Sequence, residues 1–178
     1  TCTSKSGANI NFGSDTVLAF NRGVATCLMR TYKEEVTTVD ASLSTLLHSA
    51  GDPGYDLDLS VSHGAFSAPG STLRVSPSPA TVQSPVNLSL SANDLYGNPL
   101  GVEGIGKEVA FYISGADPDT LDNLEVTDNG DCTYSATYTP THSGYDAITS
   151  RVSNTPVAHD NDGTDDGTFN LTVNSLGL

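Results

Sequence analysis

The densest chemistry in the chain lies in one short loop. Asp160-Asn-Asp-Gly-Thr-Asp-Asp-Gly167 packs four carboxylates, an amide and two glycines into eight residues. Hard cations such as Ca²⁺ take several oxygen ligands on a tightly turning backbone, so Asp160, Asp162, Asp165 and Asp166 are candidate Ca²⁺ ligands. The distal bidentate Glu of an EF-hand loop is missing, which excludes that motif. The same residue types also make an ordinary solvated hairpin turn. Asp128 and Asp131 form a weaker candidate pair. Two further stretches, Asn87-Leu-Ser89 and Asn170-Leu-Thr172, have the pattern of N-glycosylation acceptors, although chance matches are common in Asn- and Ser-rich chains.

Three cysteines, Cys2, Cys27 and Cys132, are an odd number. A Cys2–Cys27 disulfide with Cys132 left over suits an oxidising compartment; three buried free thiols are the alternative. Catalytic chemistry finds little footing. His48, His63, His142 and His159 are scattered over loops and strand ends. No Gly-x-Ser-x-Gly, His-Glu-x-x-His, Cys-x-x-Cys or phosphate-cradling glycine loop occurs, so no enzyme is expected.

Composition sets the class of scaffold that must carry these groups. The chain has 178 residues, few of them charged, and a net charge of −14. Such acidity argues against nucleic acid and anionic membrane as partners and favours solubility, cations or a basic partner. No stretch is apolar for long enough to insert in a membrane as a helix. The chain starts at Thr1 without a signal peptide, which suggests a processed chain or a fragment. Abundant Ser, Thr, Gly and Asn point to an all-β, loop-rich domain of extracellular type.

The strand signals cluster in the second half. Val86 to Ala92 alternates with Val86, Leu88 and Leu90 on one face, and Lys107 to Ser114 with Val109, Phe111 and Ile113. Asp94-Leu-Tyr-Gly-Asn-Pro99 reads as a turn, and Leu124 to Thr127 as a short strand. Asp128-Asn-Gly130 supplies a second turn before Cys132, Tyr134, Ala136 and Tyr138 alternate with Thr133, Ser135 and Thr137. Pro140 stops that ladder and Gly144 opens the next strand, Tyr145 to Ser153. There the parity slips, because Tyr145 and Ala147 share one face while Ile148 and Val152 share the other, and a bulge would reconcile them. Thr168 to Asn174 closes a set of about seven strands.

The run Asp128-Asn-Gly-Asp-Cys-Thr-Tyr134, then Tyr138-Thr-Pro140, then Gly144-Tyr145, resembles the filamin-type immunoglobulin-like repeat. It departs at Cys132, where that family has Gly, and in having Tyr145 directly after Gly144. Asp94-Leu-Tyr-Gly-Asn-Pro99 is similar to both filamin-type and bacterial immunoglobulin-like repeats of invasin type. The resemblance implies a β-sandwich and is nearly silent on function, since such modules serve many unrelated proteins.

The first half is harder to place. His48 to Val61 recurs in outline as His142 to Val152, at roughly the spacing of one immunoglobulin-like domain of about 100 residues. Strands are expected at Asp15 to Phe20, Val24 to Tyr32 and Tyr55 to Ser62, with Ser71 to Ser76 closing the first copy. Ala41 to His48 reads as a short helix with Asp40 at its N-cap. The division expected is residues 1–78, a partial or divergent immunoglobulin-like domain; 79–85, a Pro-rich linker with an opening strand; and 86–178, a complete one. Ser76-Pro-Ser-Pro-Ala-Thr-Val-Gln-Ser-Pro85 would stiffen the junction and set the domains end to end. It also has the Ser-Pro pattern of plant and algal surface-protein glycomodules.

These readings favour tandem modules of an extracellular or cell-surface filament, appendage or adhesin. Its partners would be other protein subunits or copies of itself, with no required cofactor. The filamin resemblance implies an alternative, a cytoplasmic scaffold or actin cross-linker, and a docking mode in which a peptide adds to the Lys107–Ser114 edge. A Ca²⁺-dependent adhesion module is the third reading.

Overall fold

The computed structural model describes all residues except 1, 4–5, 12–13, 15, 44–46, 49–56, 101–108, 118–123, 165 and 178. The chain divides into two compact units, Thr1–Ser62 and His63–Leu178.

The first unit contains short antiparallel pairs: β1 (Cys2–Thr3) with β2 (Asn9–Ile10), β3 (Glu35–Val39) with β6 (Leu57–Val61), and β4 (Ser42–Leu43) with β5 (Leu47–His48). None of its described side chains is fully buried, and Phe20, Leu28 and Val36 are exposed. The helix expected over Ala41 to His48 is replaced by the β4–β5 pair, so Asp40 caps no helix there. Too few residues separate Asp40 from His48 for an isolated helix to hold without an apolar face to bury. The strands expected at Asp15 to Phe20 and Val24 to Tyr32 reduce, among the described residues, to a tight Asn21–Val24 bridge and a single bridge residue at Met29.

The second unit is a two-layer β-sandwich. Alternation builds its strands. In β9 (Val86–Ser91), Val86, Leu88 and Leu90 are fully buried while Asn87 points out. In β12 (Thr133–Tyr138), Tyr134, Ala136 and Tyr138 go inward, and in β15 (Thr168–Asn174), Phe169, Leu171 and Val173 do. Each buried Val, Leu or Phe contributes about 1.5–3 kcal/mol relative to exposure. One sheet has the order β11 (Thr127–Asp128), β12, β9, β7 (Thr72–Ser76). The other runs β10 (Val109–Gly115), β13 (Gly144–Val152), β15, β8 (Ala80–Thr81), with β14 (Thr155–Pro156) against β13.

The strand read as closing the first domain belongs to the second unit. β7 pairs antiparallel with β9, from Thr72↔Ser91 to Ser76↔Asn87, so it is an opening strand, and the boundary lies near residue 62 rather than 78. The Pro-rich stretch from Ser76 is likewise no linker between the units. It carries the chain from one sheet to the other, and β8 within it runs parallel to β15. Proline has no N–H to give a ladder, so Pro77 and Pro79 sit where one ladder ends and the next begins.

Candidate functional site

The corner between β12 and β13 joins three elements through two buried carboxylates. Pro140 ends β12 and leaves the next N–H groups without sheet partners. Asp117, just past β10, supplies them: its Oδ2 accepts Thr141 N at 2.8 Å and His142 N at 2.9 Å. Its Oδ1 accepts the Thr141 hydroxyl and lies 2.6 Å from His142 Nδ1. Asp146, in β13, accepts Ala116 N at 2.8 Å and Asp117 N at 3.2 Å on its Oδ1. The Tyr138 hydroxyl lies 2.7 Å from Asp146 Oδ2 and 3.1 Å from Asp117 Oδ2, one proton shared between two carboxylates. Asp117 and Asp146 are 2% and 1% exposed.

Burial works to raise the Asp117 carboxyl. The Thr141 hydroxyl, His142 N–H and ring, and Thr141 N–H outweigh it and hold the group well below the usual carboxylate range. Burial first, then the Asp146 bond and the nearby acid charges, push the Tyr138 phenol far above its ordinary value. These groups are occupied holding backbone in place, and the geometry is that of a structural clamp.

A second clamp holds the turn after β9. Asp94 Oδ1 accepts Tyr96 N at 2.8 Å and Asn98 N at 2.9 Å, and its Oδ2 accepts Gly64 N and Asn98 Nδ2, both at 2.8 Å. Burial would raise this carboxyl, but the Asn98 side chain and the three N–H groups hold it well below its normal range. The Asp-x-Tyr-Gly-Asn-Pro run is therefore an Asp-nucleated turn. Asp128 and Asp131 do similar work: Asp128 accepts Gly130 N, and Asp131 accepts the Thr133 N–H and hydroxyl. Between them and β12, Cys132 takes φ +66° where the related pattern has Gly.

The acidic loop sits against the edge of β7. Leu73 N donates to His159 O at 2.9 Å, and Val75 N donates to Asn161 Oδ1 at 3.0 Å. Asp160 is 8% exposed; its Oδ1 accepts Asp162 N at 2.9 Å, while its buried Oδ2 has no hydrogen-bond partner. Burial pushes the Asp160 carboxyl up. Asp162 accepts the Thr164 N–H and hydroxyl on Oδ1, and Asn170 N and Nδ2 on Oδ2. Led by the Thr164 hydroxyl, these donors hold it well below its usual range. Asp166 caps Thr168 N, and Asp165 lies outside the described residues. Among the described residues no three His, Cys, Asp or Glu side chains converge as a metal cluster would require.

The two sequons differ. Asn87 is exposed beside a groove lined by Ser89, Ser135 and Thr137, whereas Asn170 Nδ2 donates to Asp162 Oδ2 and Thr168 O. Cys27 is disulfide-bonded and Cys132 is buried and outside any disulfide; the side chain of Cys2 lies outside the described residues. The strand expected from Lys107 is described from Val109, Lys107 itself lying outside, and among the described strands β10 has β13 alone as its partner. No helix of the described residues is long and apolar enough to cross a membrane. Sequence reasoning missed Asp117 and Asp94 as organising residues. An Asp-Pro step after a strand and an Asp opening a turn were the available signals, but the partners of Asp117 lie 24 and 25 residues away.

Two sheets of these strand orders, tied at their corners, define an immunoglobulin-like β-sandwich. Solved structures agree. The chain is similar to InvD of Yersinia pseudotuberculosis, at 18% identity over 99% of this chain and 44% of that one, with a TM-score of 0.52. It is also similar to FdeC, an Escherichia coli adhesin, at 22% identity over 67% of this chain and 35% of that one, with a TM-score of 0.50. The chain thus spans less than half the length of either. No protein-family model and no curated protein matches it.

Proposed function

We propose that the chain is part of an extracellular or cell-surface structural protein, in which the immunoglobulin-like unit presents loops and strand edges to other subunits or to copies of itself. The observation that carries this reading is the disulfide at Cys27, because disulfides persist in oxidising compartments and are rare in the cytosol. The fold likeness to FdeC, an adhesin, and the acidic Ser/Thr-rich composition support it. Pairing of Cys27 with Cys2, and glycans at Asn87 and Asn170, belong to the same proposal. No catalytic role is part of it.

A second contact mode is favoured by the position of β10 at the end of its sheet order, where a partner strand would add to the Val109–Gly115 edge. The test is antibody labelling of intact source cells, with intact mass measured before and after reduction and deglycosylation. Surface labelling supports the reading. Labelling only after permeabilisation, with three reduced thiols and no glycan, would replace it with the cytoplasmic scaffold.

A further inference from the structure

We propose that the acidic loop after β14 binds Ca²⁺ through the buried Asp160 carboxylate, with the fixed charge of Asp162 beside it, and that the ion pins this loop onto the edge of β7. Buried carboxylates elsewhere in the unit are well supplied: Asp94 accepts four hydrogen bonds, and the oxygens of Asp117 and Asp146 all have donors. Asp160 is 8% exposed, yet its Oδ2 has no donor at all. A buried acceptor without a partner is costly, and more so when charged.

The backbone N–H groups of Asp162 and Gly167 reach this carboxyl, yet Oδ2 is left without a partner. The group facing it is the Asp162 carboxylate, a second negative charge that Thr164 and Asn170 fix in place. An orphaned carboxylate oxygen beside another carboxylate attracts a hard cation, which supplies the compensation that protein donors do not. Two carboxylates leave most of the coordination shell to water and backbone carbonyls. That places the affinity in the weak range of extracellular modules, about 10⁻⁴–10⁻³ M.

The position gives the ion something to do. His159 and Asn161 flank Asp160, and both bond β7: His159 O accepts Leu73 N, and Asn161 exchanges bonds with Val75 N and O. The loop thereby occupies part of the outer edge of a strand whose other side pairs with β9. Unpaired edge N–H groups are templates for another chain, so fixing the loop keeps that edge closed.

The experiment uses the full chain, freed of metal with a chelator, then titrated with Ca²⁺ to about 10 mM at constant ionic strength and read three ways. Isothermal titration calorimetry on the unmodified chain is expected to show binding. Thermal unfolding should shift upward, through linkage to the folded state. Amide exchange of peptides covering Leu73 and Val75 should slow. In Asp160→Asn all three responses should vanish. In chelator that variant should be at least as stable as the parent, because the amide removes the buried charge. No calorimetric binding by the unmodified chain overturns the proposal, as does an unchanged Ca²⁺ response in Asp160→Asn. Loss of stability by Asp160→Asn in chelator also overturns it, since the carboxylate would then already be satisfied without an ion.

Discussion

Replacing Tyr138 by Phe removes one oxygen from the most heavily bonded corner of the sandwich. The hydroxyl donates to Asp146 Oδ2, at 2.7 Å, whereas Asp117 Oδ2 keeps the Thr141 and His142 N–H groups. A hydrogen bond to a charged group is worth about 1.5–3 kcal/mol, and the carboxylate left behind is 1% exposed, so water does not replace the donor. The loss of stability should be about 2–4 kcal/mol. Hydrogen exchange of peptides from β12 and β13 reads this in the full chain, because their slowest amides report opening of the second unit as a whole. At about 1.4 kcal/mol per factor of ten, protection should fall roughly thirty- to several-hundred-fold. In an Asp146→Asn background the same change should cost only about 1 kcal/mol, the worth of a neutral bond. A loss of protection under about threefold for Tyr138→Phe alone, below about 0.7 kcal/mol, would refute the clamp.

Among the buried carboxyls, the acid limb of stability should belong to Asp94 and Asp117. Both folded carboxyls are depressed, so their contribution is present above the unfolded value of about 3.9 and is lost as pH falls below it. Asp117→Asn should flatten the pH 2–5 limb of an unfolding series. Gly70→Ala should destabilise strongly, because a Cβ there would sit inside contact distance of the Asp94 carbonyl oxygen; a melting temperature within about 2 °C of the parent would contradict this. Asn161→Ala should speed exchange of the Val75 amide about tenfold, for a bond worth about 1–2 kcal/mol, and leave β15 unaffected. Alkylation in denaturant should label Cys132 alone before reduction and all three cysteines after it, if Cys27 pairs with Cys2 as proposed.

Much of the second unit was legible because its strands obey a period of two with apolar residues inside. Val86, Leu88 and Leu90 in β9 and Tyr134, Ala136 and Tyr138 in β12 announce their faces, and the flanking Asn-Gly and Pro set their ends. The opening strand β7 was visible as a strand but not as a neighbour of β9. Leu73 and Val75 alternate as well as any closing strand would, and only pairing distinguishes the two. The Pro-rich stretch looked like a junction between domains, yet a sandwich whose opening strand changes sheets needs the same ladder-breaking residues inside one domain. In the first unit, side chains such as Val36 and Leu57 lie exposed, so apolar pattern there did not translate into burial.

The misread parity of β13 shows where pattern reading fails for a physical reason. Tyr145 and Ala147 suggested one inward face and Ile148 and Val152 the other, which called for a bulge. The register is continuous from Gly144↔Val173 to Thr149↔Thr168, and onward along β10 to Val109↔Val152, so none is present. The inward set is Asp146, Ile148, Ser150 and Val152, half of it polar. An acid inside a strand breaks the apolar alternation only because its cost is met elsewhere, here by Tyr138, Ala116 N and Asp117 N. None of those donors is adjacent to it in the sequence. The polar corner that fixes the two sheets was thus the part least visible from local pattern. The acidic loop was conspicuous as composition, and its unusual feature, the one buried oxygen of Asp160 without a donor, appears only once the neighbours of that atom are in place.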